Sequence, residues 1–145
     1  MEGFDINWIA IAVAAIVPLV VGSIYYGPLF GKVWQKEVGI TDEELKAGNY
    51  VKIFGLSLLF AVVLAFTIWA EVMMGGAPGE AHGQAPYLTF KHGALHGVLL
   101  SVFFLLPILG TIALYERKSL RYVLLTVGYW GISMAIMGGI INVWT

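Results

Sequence analysis

From Ile6 to Tyr26 the chain carries no charged residue. At about 1.5 Å per residue, a helix of that length spans roughly 30 Å, the hydrocarbon thickness of a bilayer. Three further long apolar runs follow, charged only near their ends, from about Val51 to Glu71, Phe90 to Tyr115 and Leu120 to Trp144. Only 12% of the chain is charged and 59% is hydrophobic, whereas a soluble domain carries about a quarter charged residues. A chain so short of charge cannot coat a water-facing surface, so lipid is its solvent over most of its area. The expected fold is all-α, one membrane domain over residues 1–145 with four transmembrane helices and a short interfacial segment between the first two.

The connections support that division. Trp8 and the Tyr25-Tyr26 pair suit the two interfaces of the first span, and Pro18 in its middle predicts a kink unless a neighbour satisfies the freed carbonyl. The segment Gly27-Pro28-Leu29-Phe30-Gly31-Lys32-Val33-Trp34-Gln35-Lys36 reads as interfacial, with Phe30, Val33 and Trp34 toward lipid and Lys32 and Lys36 toward head groups. Thr41-Asp42-Glu43-Glu44 has capping-box spacing, and its acidic first turn complements the helix dipole. That helix is expected to lead through Lys46 to Tyr50 into the second span. Met73 to Thr89 is rich in Gly, Ala and Pro and reads as an exposed loop. Glu116-Arg117-Lys118-Ser119 is a tight connection with Ser119 as N-cap.

Orientation follows from the basic residues. Lys32, Lys36, Lys46, Lys52, Arg117, Lys118 and Arg121 share one side and Lys91 alone holds the other, accounting for all eight Lys and Arg. The basic side is cytoplasmic by the positive-inside rule, so both termini and the Gly-rich loop face away from the cytoplasm. Met1 to Asp5 carries Glu2 and Asp5 and no basic residue, so the first run reads as a retained helix rather than a cleaved signal. A net charge of −1 gives no reason to expect nucleic acid.

In lipid, helices associate through close packing and hydrogen bonds, because burying leucine away from acyl chains gains little. Small residues at four-residue spacing therefore mark contact faces. They are Ala10, Ala14, Pro18 and Gly22 in the first span, Ser57, Ala61 and Ala65 in the second, and Gly93 and Gly97 in the third. The fourth has Gly128, Gly131, Gly138 and Gly139. Such faces either build a homo-oligomer or hold one bundle together, and four short helices satisfy only part of them internally, which favours oligomerisation.

Chemistry-bearing residues are few. His92 and His96 share one face of the third span. Two imidazoles at that spacing make a candidate metal pair that needs a further ligand, with Glu71, Glu80 and His82 on the same side. They equally suit proton or ion handling, or an interfacial role on water. Lys91 beside them disfavours a cation unless it snorkels outward. Arg117, Lys118 and Arg121 are placed to meet anionic lipid head groups or simply to fix topology. Tyr129 and Ser133, four apart, suit hydrogen bonds to a neighbouring helix. The chain has no cysteine, and so no disulfide, thiolate ligand or Cys nucleophile. It also lacks a nucleophile elbow, phosphate loop, dinucleotide fingerprint or HExxH. No catalytic residue and no cofactor are expected.

Three segments carry a resemblance: Tyr25-Tyr26-Gly27-Pro28-Leu29-Phe30-Gly31-Lys32-Val33-Trp34, Glu116-Arg117-Lys118-Ser119 after Tyr115, and Gly128-Tyr129-Trp130. With the four-span plan, the chain resembles small bacterial four-helix membrane proteins grouped as a domain of unknown function. The resemblance covers nearly the whole chain, with Tyr115 where the family often has Phe. It implies four spans and a bacterial inner membrane, and no activity.

Two functions fit. One is a structural or accessory, non-enzymatic membrane subunit, homo-oligomeric or docked on a partner complex. The other is a small homo-oligomeric channel or transporter-like protein with an ion or proton site near His92 and His96. The scarcity of polar groups to line a pore favours the first.

Overall fold

A computed structural model describes residues 6–74 and 86–144. Its elements are α1 (Trp8–Ile24), α2 (Gly31–Val38), α3 (Asp42–Lys46), α4 (Tyr50–Met74), α5 (Phe90–Leu100), α6 (Leu106–Tyr115) and α7 (Leu120–Val143). Wide helical turns at Tyr25–Leu29 and Ser101–Leu105 extend α1 and join α5 to α6. Four helices are thus long and apolar enough to cross a membrane: Trp8–Leu29, Tyr50–Met74, Phe90–Tyr115 and Leu120–Val143. No strand occurs among the described residues. The second span runs on to Met74, past the expected end near Glu71, and most of the Gly-rich loop lies outside the described residues.

The fourth span is the hub. α7 packs against α1, α4 and α5, and α1 also packs against α4. Ile11, Ala14 and Ala15 of α1 meet Ala61, Ala65, Ile68 and Val72 of α4 and Met134, Met137 and Ile141 of α7 in one buried core. The alanine stripes bring α1 and α4 together inside the bundle; Ala14 and Ala65 are fully buried. α5 joins by a different device. A Cβ on Gly93 would collide with the Gly138 carbonyl and stand 2.6 Å from the Asn142 Cβ, and one on Gly97 would collide with the Met134 backbone. The GxxxG face therefore presses backbone on backbone against α7.

Local chemistry explains the ends and bends. Asn7 caps α1, its side chain accepting from the Ile9 and Ala10 N–H groups at 3.1 Å each. Its amide donates to the Trp144 carbonyl at 2.6 Å, which ties the start of the first span to the end of the fourth. α1 continues through Pro18, and the Tyr129 hydroxyl donates to the Pro18 carbonyl at 2.9 Å. At Tyr25–Leu29 the ladder widens, with Phe30 N–H reaching the Tyr25 carbonyl at 2.8 Å. Gly27 leaves helical geometry there at ψ −105°. A Cβ at Gly31 would collide with the Tyr26 carbonyl, so the turn needs glycine at that position.

After this turn, α2 and α3 form a shelf across the end of the bundle. Gly39 ends α2 in the left-handed region at φ 76°, where glycine is favoured. Thr41 and Glu44 make the full capping box expected of them. The helix they start does not run into the second span. It stops at Lys46, and α4 begins anew at Tyr50, with the Asn49 side chain accepting from the Lys52 N–H at 3.0 Å. In the third span the wide turn at Ser101–Leu105 precedes Pro107, which cannot donate to a helical ladder.

Candidate functional sites at the two ends of the bundle

At the end opposite the shelf, Thr89 caps α5 by accepting from the His92 N–H at 3.3 Å. This sets His92 and His96 in the first two turns, with ring centroids 4.7 Å apart. The Tyr87 ring lies 5.3 Å from His92. Glu71, in the last turn of α4, brings a carboxylate oxygen to 3.8 Å from His96 Nδ1. Asn142 is fully buried beneath them, and its amide donates to the Tyr87 and Thr89 carbonyls at 2.7 Å each. The pair expected from spacing is thus brought together and given a carboxylate neighbour. Among the described residues no three His, Cys, Asp or Glu form a group able to hold a metal. Glu80 and His82 lie outside the described residues.

At the shelf end the three resemblance segments meet. Tyr25 packs on Phe30 at 4.6 Å and on Tyr129 at 5.9 Å, and a Cβ on Gly128 would come within 3.0 Å of the Tyr25 hydroxyl. Tyr26 sits between Trp34 at 5.5 Å and Tyr129 at 5.0 Å. Gly22 of α1 faces the same Tyr129 ring. Trp34 therefore turns inward onto Tyr26 rather than toward lipid, because the turn carries α2 back over the first span. Val33 stays exposed, as expected.

The connection between the third and fourth spans is anchored to this shelf. Ser119 caps α7, accepting from the Tyr122 N–H at 3.0 Å, and its hydroxyl donates to the Glu37 carboxylate. Arg121 lies 3.9 Å from Glu37, and Lys118 Nζ donates to the Val38 carbonyl at 3.5 Å. Two of the three head-group candidates thus already have protein partners. The third, Arg117, is exposed at φ 56°.

Between the shelf and the spans lies a cavity of about 410 Å³, within the range of roughly 300–1,000 Å³ typical of small-ligand sites. Its walls are Pro18, Gly22, Ser23 and Tyr26 of the first span, Trp34 of α2, Leu45 of α3, Tyr50, Phe54 and Ser57 of α4, and Tyr129 of α7.

A family model described as "Protein of unknown function (DUF1761)" matches residues 9–142. The chain belongs to that family. No curated protein and no solved structure matches it. In this DUF1761 chain, sequence reasoning did not assign the roles of two positions that organise the ends. Glu37, an acid among lysines of α2, holds Ser119 and Arg121. Asn142 is the one carboxamide of the fourth span and, with Tyr129 and Ser133, one of its polar members; polarity in an apolar run was its available signal, but named no partner.

Proposed function

We propose that this DUF1761 protein is a non-enzymatic, multi-pass protein of the bacterial inner membrane that serves as a structural or accessory subunit of a membrane complex. Both termini face away from the cytoplasm and the shelf faces it, an orientation supported by the seven-to-one division of basic residues. The observation that carries the reading is the separation of the two polar ends by a packed apolar middle. Ile11, Ala14, Ala65, Ile68 and Met137 form one buried core of α1, α4 and α7, and the buried Ser101 hydroxyl of the third span donates to the Val127 carbonyl of α7 at 3.4 Å. Such a bundle suits holding and positioning better than conduction. Arg117 extends the basic rim toward anionic head groups.

Labelling intact cells tests the orientation. Cysteine replacing Gly83 is expected to react with an impermeant thiol reagent from outside, and cysteine replacing Ser119 is not; the reverse pattern would overturn it. Extraction in mild detergent followed by native mass spectrometry tests the subunit reading, with a stoichiometric partner expected. A lone protein that carries protons across liposomes would overturn it.

A second reading, proton or ion handling at His92 and His96, is favoured by the approach of Glu71 to His96. It requires that His92→Ala and His96→Ala each abolish a pH-dependent behaviour between about 5 and 8, where free histidine titrates. A wild-type protein with no such pH dependence leaves the pair an interfacial role.

A further inference from the structure

The cavity beneath the shelf has a consistent chemical character. Five aromatic rings line it, those of Tyr26, Trp34, Tyr50, Phe54 and Tyr129. They come from four separate elements, with Tyr50 and Phe54 on the α4 wall and the other three facing from the first span, α2 and α7. Among the described residues no charged side chain lines it.

Five hydroxyls and the Trp34 indole N–H line it, and three of the hydroxyls, those of Ser23, Tyr50 and Tyr129, are oriented by backbone carbonyls. Tyr129 donates to the Pro18 carbonyl at 2.9 Å, Ser23 to the Val20 carbonyl at 2.7 Å, and Tyr50 to the Leu45 carbonyl. A hydroxyl has one proton. With that proton committed to a carbonyl, these three oxygens can offer a ligand only lone pairs. Aromatic faces are likewise electron-rich, since the ring quadrupole puts negative potential above and below the plane.

An anionic head group would find no cation in such a cavity and would meet three acceptor oxygens. A wholly apolar chain would leave those acceptors without a partner. An ammonium group suits both features, resting over the rings and against the oxygens. Lys46 and Lys52 adjoin the lining residues Leu45 and Ile53 in sequence without lining the cavity, and its wall at Ile53 and Phe54 is apolar and exposed. The ligand therefore needs an apolar body that brings it in from the bilayer, past the exposed Ile53 and Phe54.

We propose that this cavity binds a lipophilic organic cation, an ammonium head on an apolar chain, held by the rings of Tyr26, Trp34, Tyr50, Phe54 and Tyr129. The site goes beyond the accessory-subunit reading and depends on neither the orientation nor the partner.

The experiment uses the full chain in nanodiscs of neutral lipid, titrated with three amphiphiles of equal chain length. They are dodecyltrimethylammonium, its neutral isostere with a tert-butyl head, and dodecyl sulfate. The shift in melting temperature with concentration reads the affinity. The ammonium is expected to bind about tenfold more tightly than the isostere, the ratio a desolvated cation–π contact gives. Trp34→Leu should remove that preference while Trp34→Phe keeps it. Equal binding of all three heads, tighter binding of the sulfate, or a preference that survives Trp34→Leu would each overturn the proposal. A failed orientation or an absent partner would leave this titration unaffected, so the two readings fail separately.

Discussion

Arg117 sits at φ 56°, the left-handed conformation that follows many helix ends. Its N–H reaches the Leu114 carbonyl at 3.2 Å and the next N–H, that of Lys118, reaches the Ala113 carbonyl at 2.8 Å. This pair of bonds is the Schellman arrangement, in which glycine is the usual occupant. Arg117→Gly should therefore raise stability by about 0.5–1 kcal/mol, less what the freer unfolded chain costs, read as an upward shift in thermal midpoint. A fall in midpoint would show that the arginine side chain contributes more than its backbone loses. Asn142 lies at the opposite limit of burial. Asn142→Ala removes two 2.7 Å hydrogen bonds and should cost about 1–3 kcal/mol. It should also speed hydrogen exchange at the start of α5; unchanged exchange there would deny the amide its anchoring role. Ser119 was readable as a cap because a hydroxyl before an apolar run has few other uses. The partners of Glu37 were not, since the residues that meet it lie about eighty positions along the chain.

Elements were legible where a local rule governs them. The capping box at Thr41 and Glu44 is such a case. The Glu44 carboxylate accepts from the Thr41 N–H at 2.8 Å. That backbone bond first, and the Thr41 hydroxyl second, hold the carboxyl below its ordinary value of 4.5. A carboxyl whose pKa is lowered by folding stabilises fully above its unfolded value, and the effect is lost as pH falls below about 4.5. The shelf should thus loosen selectively in acid, seen as faster hydrogen exchange over α3. Thr41→Ala should cost about 1 kcal/mol locally and flatten that acid response; an undiminished response would locate its origin elsewhere. The wide turns were not legible, because a proline marks a disturbance without saying how the ladder absorbs it. The inward Trp34 was missed for a related reason. Amphipathic spacing fixes which residues share a face, but the turn at Gly27 decides which way that face points.

The packing of the whole molecule changes what its small residues mean. Of the residues at four-residue spacing, Ala14, Ala61, Ala65, Gly93 and Gly97 lie at helix contacts while Ser57 is exposed, and the spacing could not say whether the partner was another helix of the same chain. The described structure pairs Ala14 with the α4 stripe and the GxxxG of α5 with α7, so the spacing by itself no longer argues for assembly. Gly97→Leu places four side-chain carbons where one Cβ already collides with the Met134 backbone. It should force α5 off α7 and lower the thermal midpoint by more than 10 °C, the scale of a loss above about 3 kcal/mol.

Gly55 and Gly110 supply the contrast. A Cβ at either position meets nothing within 4 Å, and their helices flank the exposed Phe54, Leu56 and Leu114. If these surfaces face only lipid, a leucine there adds apolar area to an apolar solvent and changes packing little. Gly55→Leu and Gly110→Leu should then raise the thermal midpoint by no more than about 4 °C, since a single Gly replacement in a helix is itself worth up to roughly 1 kcal/mol. Native mass spectrometry should give each variant the wild-type number of subunits. A wild-type dimer that either leucine reduces to a monomer would identify that open glycine as the true assembly face. The outcome separates a bundle whose close contacts are all internal from one that reserves a smooth surface for a second copy.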